Sequence, residues 1–170
     1  MKIGVIADSH DNLTAIRRAV NYLNALNLQW LVHCGDFIAP FAAREFLLFR
    51  GKIFAVFGNN DGEKKGLQNT LGAIDYPPRL FEVAGRKLLV AHAIEEITAA
   101  FPEKRPDAVI CGHTHFPAIG YAYEQGLDGM LEKDCLFLNP GECCGYLSDQ
   151  ATLALLDLED MKAEIVELEI

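Results

Sequence analysis

Val109, Ile110, Cys111, Gly112, His113, Thr114, His115 is the stretch whose reading decides the rest of the chain. An apolar run with strand character ends in a glycine, and two histidines follow at a spacing of two. In extended backbone, residues i and i+2 point to the same side. Two imidazoles are therefore presented together at a strand end, the edge where α/β proteins place their chemistry. An isolated His-x-His pair is equally compatible with loop histidines in ordinary hydrogen bonds, so the choice turns on what ends the other strands.

Working outward, the first strand reads over residues 2–7 and stops at Asp8, Ser9, His10, Asp11, Asn12. Asp11 and Asn12 suit a helix N-cap, and Leu13, Ile16, Ala19, Val20 and Leu23 then recur at helical spacing. A second strand over 28–34 ends in Gly35 and Asp36, and a helix over 42–49 follows Pro40. A third strand over 52–57 ends in Gly58, Asn59, Asn60, Asp61, Gly62. Strands alternating with helices imply right-handed parallel crossovers, with their carboxyl ends on one edge.

The pattern weakens over 63–73, which reads as a solvated helix or loop; Lys64 and Lys65 there have no basic neighbours to form a patch. Beyond Pro77 and Pro78, residues 80–83 and 87–91 form a hairpin across Gly85, and its second strand runs into His92. A helix is expected over 94–101, bounded by Pro102. Strands follow over 107–111, 118–123 and 135–138, with a polar turn over 124–129 and an antiparallel pair over 151–158 and 164–170. The fold class is therefore α/β: two mixed sheets packed as a sandwich and flanked by helices, in one domain over residues 1–170.

Composition narrows the function. A net charge of -9 argues against a surface built to hold a long nucleic acid. An anionic substrate would need local positive charge, which a metal can supply. No apolar run approaches a membrane span, and the amino terminus enters the fold pattern without a basic leader. The 5 cysteines are odd in number and lie in apolar or loop contexts, which favours a reducing cytoplasm over a disulfide framework. They read as small buried hydrophobes.

Collected from the strand ends, the ligand-type residues are Asp8, His10, Asp36, Asn59, His92, His113 and His115. His33 falls inside the second strand and reads as a hydrogen-bonded core residue. The set is too rich for a single catalytic zinc, which takes three protein ligands. Its mixture of carboxylate, carboxamide and imidazole suits two divalent ions from manganese, iron, zinc, cobalt and nickel, with manganese favoured. Asp36 is the choice for a bridging carboxylate.

In this order the residues resemble the calcineurin-like metallophosphoesterases, whose pattern D-x-H, G-D, G-N, a lone His and G-H-x-H is matched by Asp8 and His10, Gly35 and Asp36, Gly58 and Asn59, His92, and Gly112, His113 and His115. By length the chain is similar to the small phosphodiesterases of bacteria and archaea. The resemblance implies the two-sheet metallophosphoesterase fold, one ion on Asp8, His10 and His115, a second on Asn59, His92 and His113, and Asp36 between them. It divides His113 from His115, with Thr114 turning the chain. It further implies hydrolysis of a small phosphodiester by in-line attack of a metal-bound hydroxide. Small relatives often pair as homodimers.

Three departures from the family pattern bear on activity. Many members carry G-N-H-[DE], whereas this chain has Asn60, which can donate a hydrogen bond to substrate but cannot act as a general acid. That favours diesters over the rival phosphomonoesterase reading. Asp61 remains as a catalytic residue of the second rank, partnering a ligand histidine. Ala93 replaces a usual glycine, and Glu142, Cys143, Cys144, Gly145 form a loop covering the edge of the site after Asn139, Pro140, Gly141. A third reading, a scaffold like the retromer subunit of this fold, would have no physical reason to keep the ligand set intact.

Overall fold

In the computed structural model, which describes residues 1–72, 74–99, 105–125, 127 and 134–169, two five-stranded sheets lie face to face. The first half contributes strand β1 (Lys2–Ile6), helix α1 (Leu13–Ala25), strand β2 (Trp30–His33), the short helix α2 (Pro40–Ala43), strand β3 (Lys52–Ala55) and helix α3 (Lys64–Leu71). The second half adds the hairpin of β4 (Arg79–Val83) and β5 (Arg86–Val90), helix α4 (Ile94–Ala99), and strands β6 (Ala108–Ile110), β7 (Pro117–Tyr121) and β8 (Leu136–Pro140). The strands β9 (Ala151–Asp157) and β10 (Lys162–Leu168) close the fold.

The first sheet runs β10-β9-β1-β2-β3 and the second β4-β5-β6-β8-β7. β1, β2 and β3 are mutually parallel, as are β5, β6 and β8. The other strands pair antiparallel at the flanks. Both sheets are thus mixed, as the alternation of strands and helices in the sequence implies.

Strand alternation sorts the core into layers. Ile3, Val5 and Ala7 point between the sheets and meet Val90, Ile110 and Leu138. Ile6 faces the helices with Leu31, and there α1 buries Ala15, Ile16, Ala19, Val20 and Leu23. Gly4 lets α1 approach closely, since a Cβ there would lie 2.8 Å from Leu23 Cδ2. The outer face of the second sheet packs Leu89, Val109 and Phe137 against Ile97 of α4. Asn12 is the N-cap of α1, accepting from the Ala15 amide at 3.2 Å.

Several boundaries differ from expectation. The helix expected over 42–49 ends at Ala43 and tightens into a 3-10 turn over Arg44–Leu48, which drives Phe46 into the core. The strand expected over 118–123 stops at Tyr121, because the chain winds into a 3-10 turn at Ala122–Gln125 and buries Ala122. Of residues 63–73, Lys64–Leu71 form helix α3, anchored by buried Leu67. Ala73, Phe101, Pro102, Ile170 and much of the turn expected over 124–129 lie outside the described residues.

His33 is fully buried, as its place in β2 implies. Its ring stacks on Phe37 at 3.6 Å and meets the edge of Phe46 at 5.0 Å between centroids. Ser9 Oγ and the Gly35 amide satisfy its two nitrogens at 3.1 and 3.2 Å, and burial holds its pKa well below the usual value. This aromatic stack supports the segment that carries Asp36. Phe46→Ala is expected to cost about 3–5 kcal/mol in denaturant unfolding; a loss below about 1 kcal/mol would contradict this role.

Candidate metal centre

The carboxyl ends of β1, β2 and β3 face those of β5, β6 and β8 across the sandwich edge. Asp8 and His10 follow β1, Asp36 follows β2, Asn59 follows β3, His92 follows β5, and His113 and His115 follow β6. Their aim does not come from extended backbone, as the spacing of two implies. Asp8 (φ 51°), His10 (φ 38°), Asp36 (φ 61°), His113 (φ 69°) and His115 (φ 66°) all adopt left-handed conformations. Asp and His enter this region more readily than most side chains. Tight turns beyond the strands, rather than the pleat, direct the side chains inward.

These side chains form two groups. In one, Asp8 Oδ1 lies 3.8 Å from His10 Nε2 and 3.6 Å from His115 Nε2. In the other, His92 Nε2 lies 2.8 Å from Asn59 Oδ1 and 3.2 Å from His113 Nδ1. Asp36 Oδ2 stands between them, 3.4 Å from His10 Nε2 and 3.5 Å from His92 Nε2. His113 and His115 therefore face different neighbours, although one residue separates them.

Two acceptor oxygens flank the His92 ring, the Cys34 carbonyl 2.9 Å from Nδ1 and Asn59 Oδ1 2.8 Å from Nε2. A proton on Nδ1 serves the backbone contact and leaves Nε2 and Asn59 Oδ1 as adjacent lone pairs that a cation would satisfy. His115 Nδ1 donates to Glu142 Oε2 at 2.7 Å, which frees its Nε2 in the same way. Such partners fix the orientation of metal-ligating imidazoles and raise their basicity.

The donor set fits a cation. Asp8 Oδ1 and His10 Nε2 are buried without a hydrogen-bond partner, a costly arrangement unless something else binds them. Asp8, Asp36 and Glu142 are all buried carboxylates. Asp8 above all, with Asp36 and Glu142, raises the His10 pKa against the desolvation of its ring. The field therefore favours positive charge, and the groups Asp8, His10, His115 and Asp8, Asp36, His92 each have the proximity needed to hold an ion.

The model of the calcineurin-like phosphoesterase superfamily domain matches residues 1–161. The chain belongs to the calcineurin-like phosphoesterase superfamily. It is 34% identical to Phosphodiesterase MJ0936 of Methanocaldococcus jannaschii over 99% of this chain and 100% of that protein. A solved archaeal phosphodiesterase superposes with a TM-score of 0.85 at 34% identity, over 99% of this chain and 100% of that one. Yfce, a phosphoesterase from E. coli, superposes with a TM-score of 0.72 at 21% identity over 99% of this chain and 100% of its own, and shows the shared fold.

Against the superfamily pattern, Asn60 and Asp61 have distinct positions. Asn60 is exposed and grips Asp36, its backbone N–H donating to Oδ1 at 2.9 Å and its side-chain amide to Oδ2 at 2.7 Å. Asp61 does not partner a histidine as expected. Its carboxylate accepts from the amides of Asp36, Phe37, Ile38 and Gly58 at 2.7 to 3.2 Å, which uses both oxygens. Four converging amide dipoles hold it instead, and it ties the loop after β2 to the loop after β3. Gly58 is required there, because a Cβ would collide with the Asp36 carboxylate.

Ala93 leaves the superfamily's local backbone serviceable, since the His92 and Ala93 amides both donate to Glu96 Oε2, at 2.8 and 3.0 Å. The loop after β8 contributes more than a cover. The Cys143 and Cys144 amides donate to the Ala7 and Asp8 carbonyls at 2.9 and 3.1 Å, tying the second sheet to the end of β1. Both thiols are buried and pushed up in pKa by burial, Cys143 to about 12, so they behave as packing groups.

Glu142, read in the sequence only as part of a loop covering the site, reaches into it and meets His115. Burial raises its carboxyl, but hydrogen bonds from His115, Ser148 and Cys144 outweigh that and bring it down to about 2. Its available signal is position: an acid two residues after β8, at the same sheet edge as the other polar residues. Since its folded value lies below its ordinary 4.5, the stability it contributes is present above about pH 4.5 and lost as the pH falls towards 2. In metal-free protein, Glu142→Gln is expected to flatten the acid limb of the stability profile over that interval. An unchanged acid limb would refute it.

Proposed function

We propose that the chain is a metal-dependent phosphodiesterase that cleaves small diesters with two divalent ions at this centre. The observation that carries the reading is Asp36 Oδ2, placed within 3.5 Å of imidazole nitrogens from both groups. A carboxylate so placed can be shared by two ions. Asp8, His10 and His115 would hold one, and Asn59, His92 and His113 the other. When bound, the ions supply Lewis-acid stabilisation of phosphoryl oxygens and acidify water for in-line attack. Nitrogen and oxygen donors accept several first-row metals, and the carboxylate share favours manganese over nickel, zinc, iron or cobalt.

The chain's own residues set the rest. Glu142 and the Cys34 carbonyl keep protons on the Nδ1 atoms of His115 and His92, so that Nε2 faces the reaction in each. Asp61 is a positioning residue that fixes the Asp36 backbone. Asn59 and Asn60 lie exposed at the mouth, and the Asn60 amide can donate to a phosphoryl oxygen. It has no proton to give a leaving alkoxide. A monoanionic diester also meets less repulsion than a dianionic monoester in a chain of net charge -9.

Five buried, unpaired cysteines support a cytoplasmic setting. Among the described residues no helix is long and apolar enough to cross a membrane. Metal analysis and hydrolysis of bis(p-nitrophenyl) phosphate test the proposal. Asp36→Ala and His115→Ala are expected to lose bound metal and to lower kcat/KM by about a hundredfold or more, beyond what loss of an orienting partner costs. Unchanged metal content and activity would sink the two-ion reading. The wild type is expected to prefer the diester to p-nitrophenyl phosphate by about tenfold or more, and Asn60→His to narrow that ratio by restoring a proton donor.

A further inference from the structure

His113 belongs to two surroundings at once. Its Nδ1 faces His92, and the residue also forms part of the wall of a cavity of about 140 Å³ that the chemistry above does not use. Ala93 and Ile94 bound the cavity after β5, Ala118 of β7 and Phe137 of β8 bound it elsewhere, and among the described residues Glu95 is its one acidic wall residue. The walls are mainly apolar. A pocket of this kind, sharing a wall with a reactive centre, is where a substrate's non-reacting part is held.

Size and charge limit the occupant. An apolar protein cavity of about 150 Å³ takes up benzene, so the walled volume here matches a single six-membered ring. Glu95 and the buried carboxylates nearby oppose a further anionic group. Resting on the phosphodiesterase reading, we infer that this cavity is the subsite for one ester substituent, and that it selects a compact uncharged ring. Ala118 and Ile94 set its dimensions from opposite elements and are the specificity-determining residues.

Binding of three diester analogues in which methylene replaces each bridging ester oxygen, so that nothing in them can be hydrolysed, tests this: the analogues of dimethyl phosphate, methyl phenyl phosphate and methyl 1-naphthyl phosphate, each called by its parent ester, are titrated into the metal-loaded protein and followed by NMR and by saturation transfer from ligand protons to the protein. The phenyl ester is expected to bind about ten- to hundredfold more tightly than the dimethyl ester, the range for burying one ring in an apolar pocket. The naphthyl ester is expected to gain nothing. Ala118→Leu fills the cavity and should abolish the phenyl advantage while dimethyl phosphate binds within about threefold of wild type. Ile94→Ala enlarges it and should transfer the advantage to the naphthyl ester, which keeps the test decisive if the first variant fails to fold.

Equal affinities for the three esters, or a phenyl advantage that survives Ala118→Leu, would overturn the subsite. If bis(p-nitrophenyl) phosphate is hydrolysed and no ring preference exists, the subsite falls and the phosphodiesterase reading stands. If that compound is not hydrolysed, the reading falls, and the ring preference, measured without turnover, still decides what the cavity holds.

Discussion

Four carboxylates, Asp8, Asp36, Asp61 and Glu142, are buried where the edges of two sheets meet, and much of the chain is arranged around the cost of keeping them there. A lone ionised carboxylate in such a place would neutralise itself by taking up a proton. Here each is given partners. Glu142 accepts from His115, Cys144, Leu147 and Ser148. Asp36 accepts twice from Asn60. Asp8 accepts the His113 amide on Oδ2 at 2.9 Å and leaves Oδ1 bare. The shortage at the centre falls on Asp8 Oδ1 and His10 Nε2, which face one another and are left open to a cation; among the described residues the one other such atom is Asp11 Oδ1, in the same turn after β1.

Holding that arrangement requires backbone that would not form unaided. Five of the seven ligand-type residues sit at positive φ, each a departure of order 1 kcal/mol or more that persists only when the surroundings over-determine it. Asp61 supplies much of that determination, because three of its four amide donors lie in the Asp36 turn and the fourth, Gly58, in the facing loop after β3. The Cys143 and Cys144 amides do the same for the turn after β1. Stability is thereby concentrated in hydrogen bonds one layer away from the reacting atoms, and the aromatic stack of His33, Phe37 and Phe46 closes the layer beneath.

What the sequence discloses follows from this division. Strand alternation, the helical spacing of Leu13 to Leu23 and the Asn12 cap are local patterns, so the two-sheet sandwich and α1 were legible. The ligand-type residues were legible because each ends an apolar strand, and parallel strands must bring such ends to one edge. Glu142 was not, since its burial depends on a loop crossing from β8 to β1. Asp61 was read as a partner for histidine because its neighbours in space, the amides of Phe37 and Ile38, lie more than twenty residues away. Left-handed turns after β1 and β6 were hidden too, because no glycine occupies those positions to announce them.

The separation of His113 from His115 shows how such a turn changes chemistry. Extended backbone would aim both imidazoles to one side, and a single ion could then take the pair. Two left-handed residues flank Thr114 instead, and Asn139 holds the turn by donating to the Gly112 carbonyl at 2.9 Å and to Thr114 Oγ1 at 3.0 Å. Gly112 itself admits no side chain, since a Cβ would come within 2.7 Å of Asp8 Oδ2. The close approach of β6 to β1 therefore requires the glycine, the glycine permits the turn, and the turn sends one histidine towards Asp8 and the other towards His92. A motif that reads as one pair of ligands thus serves two neighbouring groups because the two sheets come into contact at that residue.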